Sequence, residues 1–194
     1  MDLGNRLYRV IHAFKRDILG RNNHLHTEDR RVLEYVIFPY FLESDKYHNV
    51  LFVGCQWYTR NYNKRFEPKH NFWTIEPSQS ESKYGAKQHV IDSLENLGCH
   101  FRNGNFDVIF CNGVIGFGLD NLSDAERAFK ACHDALRVGG VLVIGWNDIA
   151  KRRPFELARC RSLGKFKSFL FPPLAASEYQ TNTANRHTYS FFEK

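Results

Sequence analysis

Residues 49–54 read Asn-Val-Leu-Phe-Val-Gly: four apolar residues without a break, then a glycine. A short run of this kind, bounded by glycine, predicts a strand with apolar neighbours on both faces. Strands of that type sit inside parallel sheets, where helical crossovers cover both sides, so the pattern should recur with helices between.

The pattern does recur. NFWTI at 71–75 ends at Glu76-Pro77, and a weaker run, Gln88 to Ile91, ends at Asp92. FDVIFC at 106–111 ends at Asn112-Gly113, and VLVIGW at 141–146 ends at Asn147-Asp148. Pro77 suits the first turn of a short helix that Gly85 closes. Ser123, with Glu126 three residues on, predicts a capping box for the clearest helix. Its core face is Ala125, Ala128, Phe129, Cys132 and Leu136, with Gly139-Gly140 as its stop. Strands alternating with helices mean right-handed crossovers and a parallel sheet.

Outside this block the rhythm is different. Leu7, Val10, Ile11, Phe14 and Ile18 fall at helical spacing before Gly20, and the polar segment Arg21 to His26 is a loop. Thr27 caps a second helix carrying Leu33, Val36, Ile37, Tyr40 and Phe41, with a kink or an end near Phe38 imposed by Pro39. Beyond the block, Pro154 opens a helix to about Leu163. Phe166 to Phe171 and Thr188 to Phe192 read as strands that pair antiparallel at one edge. The expected architecture is α/β: a Rossmann-like, mostly parallel sheet with an antiparallel C-terminal edge strand, in three α/β/α layers, preceded by two N-terminal helices. With 194 residues the chain reads as a single domain, 1–46 forming a helical cap and 47–194 the core.

Composition narrows the class. At 43% hydrophobic residues a packed core is expected rather than disorder. The net charge of +6 is spread out, with local groups only at Arg30-Arg31 and Lys151-Arg152-Arg153, so a solvated basic surface is favoured and nucleic acid is not specifically indicated. Five cysteines with no C-x-x-C pair argue against a disulfide framework and a zinc site, and for a reducing compartment. Charges at Asp2, Arg6, Arg9, Lys15, Arg16 and Asp17 break any signal-peptide core, and no apolar run is long enough to span a membrane. The expectation is a cytoplasmic protein with no metal.

Ligands of open parallel sheets sit outside the carboxyl ends of the strands. Gly54 there lets a ligand approach the backbone, and Glu76 is placed to accept both hydroxyls of a ribose. Glu76 as a cap of the next turn is the competing account.

In order, NVLFVGC, WTIEPS, HVIDSLENL, NFDVIFCNGVIGF and ALRVGGVLVIGW resemble the successive motifs of class I S-adenosylmethionine-dependent methyltransferases, over roughly 49–148. The resemblance implies S-adenosylmethionine as cofactor. It puts Gly54 and Cys55 against the methionine part, Glu76 on the ribose, Asp92 with Ser93 at the adenine, and Asn112-Gly113 between cofactor and substrate. Two departures stand out: Phe52 replaces the family's usual acidic residue in the first strand, and Gln56, Trp57 and Tyr58 stand where further glycines are usual.

The implied activity is methyl transfer to oxygen or nitrogen of a small-molecule acceptor, because little chain remains to build a larger recognition surface. A methyltransferase acting on nucleic acid or protein is the alternative, and a catalytically silent methyltransferase-like subunit is another, favoured by the altered glycine turn. A nicotinamide-dependent oxidoreductase is disfavoured, since no G-x-G-x-x-G follows the first strand. Candidate bases are His187, Asn112 and Asp148, with Tyr8, His12, His24 and His26 in the N-terminal region.

Overall fold

The computed structural model of the chain describes residues 27–194. The first expected helix, the loop after it, and Tyr8, His12, His24 and His26 lie outside the described residues.

Eight strands among the described residues form one sheet: β1 (Asn49–Val53), β2 (Asn71–Ile75), β3 (Gln88–Val90), β4 (Phe106–Asn112), β5 (Leu136–Asn147), β6 (Lys167–Ser168), β7 (Glu178–Gln180) and β8 (His187–Glu193). Their order is β3-β2-β1-β4-β5-β8-β6, with β7 also paired to β8. The first five are parallel, and β8 runs antiparallel to β5, β6 and β7. The chain therefore builds outward from β1 through β2 to β3, then returns to the other side of β1 at β4. Strand order reverses between β1 and β4, which opens a crevice at their carboxyl ends.

Alternation along each strand feeds two cores. Leu51, Val53, Ile109, Cys111, Leu142 and Ile144 face a helix, Leu122–Ala135. Val50, Phe52, Phe72, Val108, Phe110 and Val143 face the N-terminal helical segment and the helix Tyr62–Phe66. The sheet is thus sandwiched between two apolar layers, a three-layer α/β arrangement with an antiparallel edge.

The N-terminal segment is helical from Glu28 to Leu42 in three pieces: Glu28–Val32, a π-turn Leu33–Ile37, and Phe38–Leu42. Thr27 precedes it in extended conformation, but its side chain makes no capping bond. The break expected near Phe38 is realised as the π-turn, with the Phe38 N–H bonded to the Leu33 carbonyl. The wider turn makes room for the Pro39 ring, which has no N–H to give and would crowd the preceding turn of a regular helix. Apolar burial carries the segment through: Phe38 meets Phe52, Tyr62, Phe66 and Phe110 edge-on, at centroid distances of 4.9–6.3 Å.

Five sequence expectations change. The helix Leu122–Ala135 is capped by Asn121, whose side chain accepts the Asp124 N–H at 2.9 Å, not by Ser123. Glu126 is drawn elsewhere: its carboxylate accepts the backbone N–H groups of Arg161 and Ser162 at 2.6 and 2.7 Å. That contact satisfies donors a helix would have used, and the segment after Pro154 forms only 3-10 turns at Leu157–Arg159 and Leu163–Lys165. Gly139-Gly140 does not end the helix. β5 has already begun at Leu136, and the pair lies in a register shift between the partners of Phe106 and Val108, with Gly139 at φ +71°. The expected strand at 166–171 is reduced to Lys167–Ser168, while β7 was not anticipated. Pro77 lies in a bend, and only Ser82–Tyr84 forms a 3-10 turn before Gly85.

Candidate functional site

The crevice between β1 and β4 is bounded by two glycines in left-handed conformation, Gly54 at φ +85° and Gly113 at φ +71°. A side chain at Gly54 would be strained by that backbone angle and would point at the Val114 side chain, 3.7 Å away. Glu76, at the end of β2, reaches across to this turn. Its Oε2 accepts the Cys55 N–H at 3.0 Å, and its Oε1 accepts the Ser78 N–H at 2.9 Å. Glu76 thus joins the glycine turn to the loop after β2. Burial pushes the Cys55 thiol up to about 12, so it is a packing group rather than a nucleophile.

Asp92 lies at the end of β3. Its Oδ1 accepts from the Ser93 N–H (2.7 Å) and Asn96 Nδ2 (2.8 Å), and its Oδ2 lies 2.8 Å from His100 Nε2. These bonds, with His100 foremost, hold the half-buried carboxyl down at about 2. Asp92 is ionised, and its contacts run to its own segment.

The structure brings Asn112 and His187 together across 75 positions of sequence. His187 Nε2 lies 3.2 Å from Asn112 Oδ1, and its Nδ1 lies 2.7 Å from Asn147 Oδ1. Burial lowers the imidazole pKa to about 4, with Asp29 opposing and Arg30 adding to the shift. A neutral ring has one N–H. The shorter contact assigns it to Nδ1, leaving the Nε2 lone pair toward an Asn112 amide turned to donate. Gly145 makes this possible: a Cβ there would overlap the Asn112 side chain and come within 2.9 Å of His187 Nε2. Asp148 is set apart. Arg153 (2.8 Å) and Arg186 (3.1 Å) pair with its two oxygens.

Two residues above the crevice were not singled out for the site from sequence. Tyr189 packs edge-on against the His187 ring at 4.9 Å and donates its hydroxyl to the Asp29 carbonyl at 2.7 Å. Arg30, buried at 8% exposure, donates to the Tyr62 hydroxyl at 2.9 Å and lies 4.4 Å over the Tyr58 ring. The only sequence signal was its membership of a basic pair. Among the described residues no group of three or more His, Cys, Asp and Glu is placed to hold a metal ion. No helix among them is long and apolar enough to cross a membrane.

Comparison with known proteins agrees with this geometry. Residues 51–144 match a family model described as a methyltransferase domain. Among solved structures, the N-methyltransferase NodS from Bradyrhizobium japonicum WM9 is similar with a TM-score of 0.63 at 15% identity, over 86% of this chain and 96% of that one. NodS in complex with S-adenosyl-L-homocysteine gives 0.58 at 14%, over 95% and 98%. A TehB-like SAM-dependent methyltransferase from Corynebacterium glutamicum ATCC 13032 gives 0.59 at 15%, over the whole of both chains. No curated protein matches by sequence.

Such a domain uses S-adenosylmethionine, and the residues present fit it. A carboxylate offers about four acceptor positions. Glu76 uses two of them internally and keeps two, the number a ribose diol needs. Asp92 has three contacts and keeps one, enough for an adenine amino group. Gly54 leaves the first turn without a side chain over the crevice.

Proposed function

Residues 51–144 being a methyltransferase domain with S-adenosylmethionine as its cofactor, we propose that the chain methylates a small molecule at oxygen or nitrogen. The fate of the basic groups carries this reading. Arg30 is buried; Arg152 stacks on Phe117 at 4.1 Å and donates to the Gly116 carbonyl; Arg153 pairs with Asp148 and Glu156. These three arginines are engaged by the protein's own groups rather than lined up as a stripe for a polyanion, while Arg31 and Lys151 are exposed.

Gly54 and Cys55 would lie along the methionine part of the cofactor, Glu76 would hold the ribose, Asp92 with Ser93 the adenine edge, and Asn112-Gly113 the side facing the acceptor. When bound, the cofactor supplies an electrophilic methyl group for in-line displacement, and alignment is the main demand on the protein. His187 is the base we assign for an acceptor that arrives protonated. It is neutral near pH 7, and Asn147 fixes its tautomer so that the lone pair is on Nε2, where it is engaged by the Asn112 amide until an acceptor takes that place. Asn112, between that nitrogen and the crevice, positions it. Asp148, held by two guanidiniums, is assigned a structural role.

Methyl-labelled S-adenosylmethionine, incubated with the protein and a cell extract split by ultrafiltration, tests the acceptor class. Label should appear in the low-mass fraction. Label confined to the protein or nucleic-acid fraction would contradict the proposal.

A further inference from the structure

Among the described residues, two that are not glycine sit at positive φ, Ala175 and Arg186. Arg186, at φ +46°, immediately precedes His187. It closes the hairpin loop between β7 and β8. Its N–H bonds to the Thr183 carbonyl at 2.8 Å, and the Thr181 N–H bonds to the His187 carbonyl at 2.8 Å. Glycine is the usual residue where a hairpin loop bends into the left-handed region, because any side chain strains that backbone. An arginine in that place needs a reason, and its contacts supply one.

Arg186 is fixed to the end of β5 at two points. Its carbonyl accepts the Asp148 N–H at 3.2 Å, and its guanidinium pairs with Asp148 Oδ2 at 3.1 Å. Asp148 is itself held on Oδ1 by Arg153 at 2.8 Å. Gln180 Nε2 lies 3.3 Å from Asp148 Oδ2 and 3.0 Å from Thr188 Oγ1, and that hydroxyl donates to the Arg186 carbonyl at 3.0 Å. The adjoining rung of the β5–β8 ladder sets Asn147 opposite His187, and there the Asn147 side chain meets the imidazole. The Arg186 side chain is 59% exposed, and an ion pair so open to water adds little stability. Its contribution is direction. It keeps residue 186 in a conformation that side chains disfavour, and so sets where β8 begins and where the next side chain points.

We infer that Arg186, clamped by Asp148, is a positioning residue that aims the His187 ring at Asn112. That this ring acts as a base rests on the methyltransferase reading. Where the ring points does not, so the two are tested separately.

Long-range proton–nitrogen NMR of the 15N-histidine-labelled full chain at pH 7 reads the ring directly. Of the nine histidines, the one whose signals vanish in His187→Gln is the reporter. Wild type should show a single tautomer there, with the proton on Nδ1. Arg186→Ala keeps the strain and removes the clamp, so its His187 signals should shift toward the averaged position of a free ring. Asp148→Asn should shift them in the same direction. Arg186→Gly removes strain and clamp together and should keep the wild-type signals, and adding Asp148→Asn to it should change them no further. A role confined to stability would lower the melting temperature of Arg186→Ala and leave its His187 signals as in wild type, and that result overturns the inference. Signals of Arg186→Gly that move as far as those of Arg186→Ala overturn it too. Should Arg186→Ala not fold, Asp148→Asn decides, alone and combined with Arg186→Gly: unmoved signals in the single variant, or moved signals in the double, overturn the clamp. Methyl transfer is read apart from this, on His187→Gln. Label reaching the low-mass fraction at the wild-type rate would remove His187 as the base while the clamp, read from the spectrum, stands.

Discussion

His187 is the candidate base whose chemistry is altered by its surroundings. Its ring is buried between two asparagine side chains, with a folded-state pKa of about 4 against 6.5 when free. The sign of the consequence follows from proton linkage. Between those values the unfolded chain binds the proton and the folded chain does not. The stability contribution is fully present above pH 6.5 and is lost as the pH falls toward 4. Thermal melts from pH 4 to 7 should show wild type gaining stability with pH, with a shallower gain in His187→Gln. His70 and His89 are also lowered by burial and add to the slope in both proteins, so the difference between the two curves is the quantity to read. Parallel curves would mean that His187 is not held neutral by the fold. Gly145 belongs to the same scale. It occupies the one place in β5 where a methyl group would displace Asn112, and within VLVIGW nothing distinguishes it from an incidental strand glycine.

At the scale of elements, short-range signals located the helices but not their ends. Asn121 with Asp124 and Ser123 with Glu126 both satisfy the spacing of a cap and its partner. What separates them is long-range: the Glu126 carboxylate is held by Arg161 and Ser162, 35 and 36 residues away. Asn121→Ala should cost about 1 kcal/mol of unfolding free energy, while Ser123→Ala should change it by no more than about 0.5 kcal/mol. Denaturant melts of the two variants give the comparison, and the reverse ranking would restore the Ser123 cap. Gly139-Gly140 is ambiguous for a related reason. Paired glycines end helices and also absorb bulges in strands. The choice fell to β4, whose Phe106 already pairs with Leu136.

Across the whole molecule, the sheet was legible because strands buried on both faces must be written as apolar runs. β1 and β2 coincide with their expected spans, β3 and β4 differ by one residue at an end, and β5 begins at Leu136, five residues before the expected Val141. The positions at the carboxyl ends of those strands, Gly54, Glu76, Asp92 and Asn112-Gly113, were legible for the same reason. The upper wall of the site was not. Arg30 meets Tyr62 across 32 residues, and His187 meets Asn112 across 75. A single chain shows no periodicity at such separations, so their roles emerge only once the sheet has ordered β1, β4, β5 and β8 side by side. Trp57 and Tyr58, which replace the expected glycines, divide the same way. Trp57 remains exposed at 43%, whereas Tyr58 lies beneath Arg30.

The central claim is that the crevice between β1 and β4 holds a nucleoside cofactor through Glu76. Isothermal titration of S-adenosylhomocysteine into wild type and Glu76→Ala tests it most directly. Saturable one-to-one binding by wild type, weakened tenfold or more in a folded Glu76→Ala through loss of about 1.5–3 kcal/mol of charged hydrogen bonding, is the predicted result. No binding by wild type at millimolar ligand, or equal affinity of the two proteins, would contradict it.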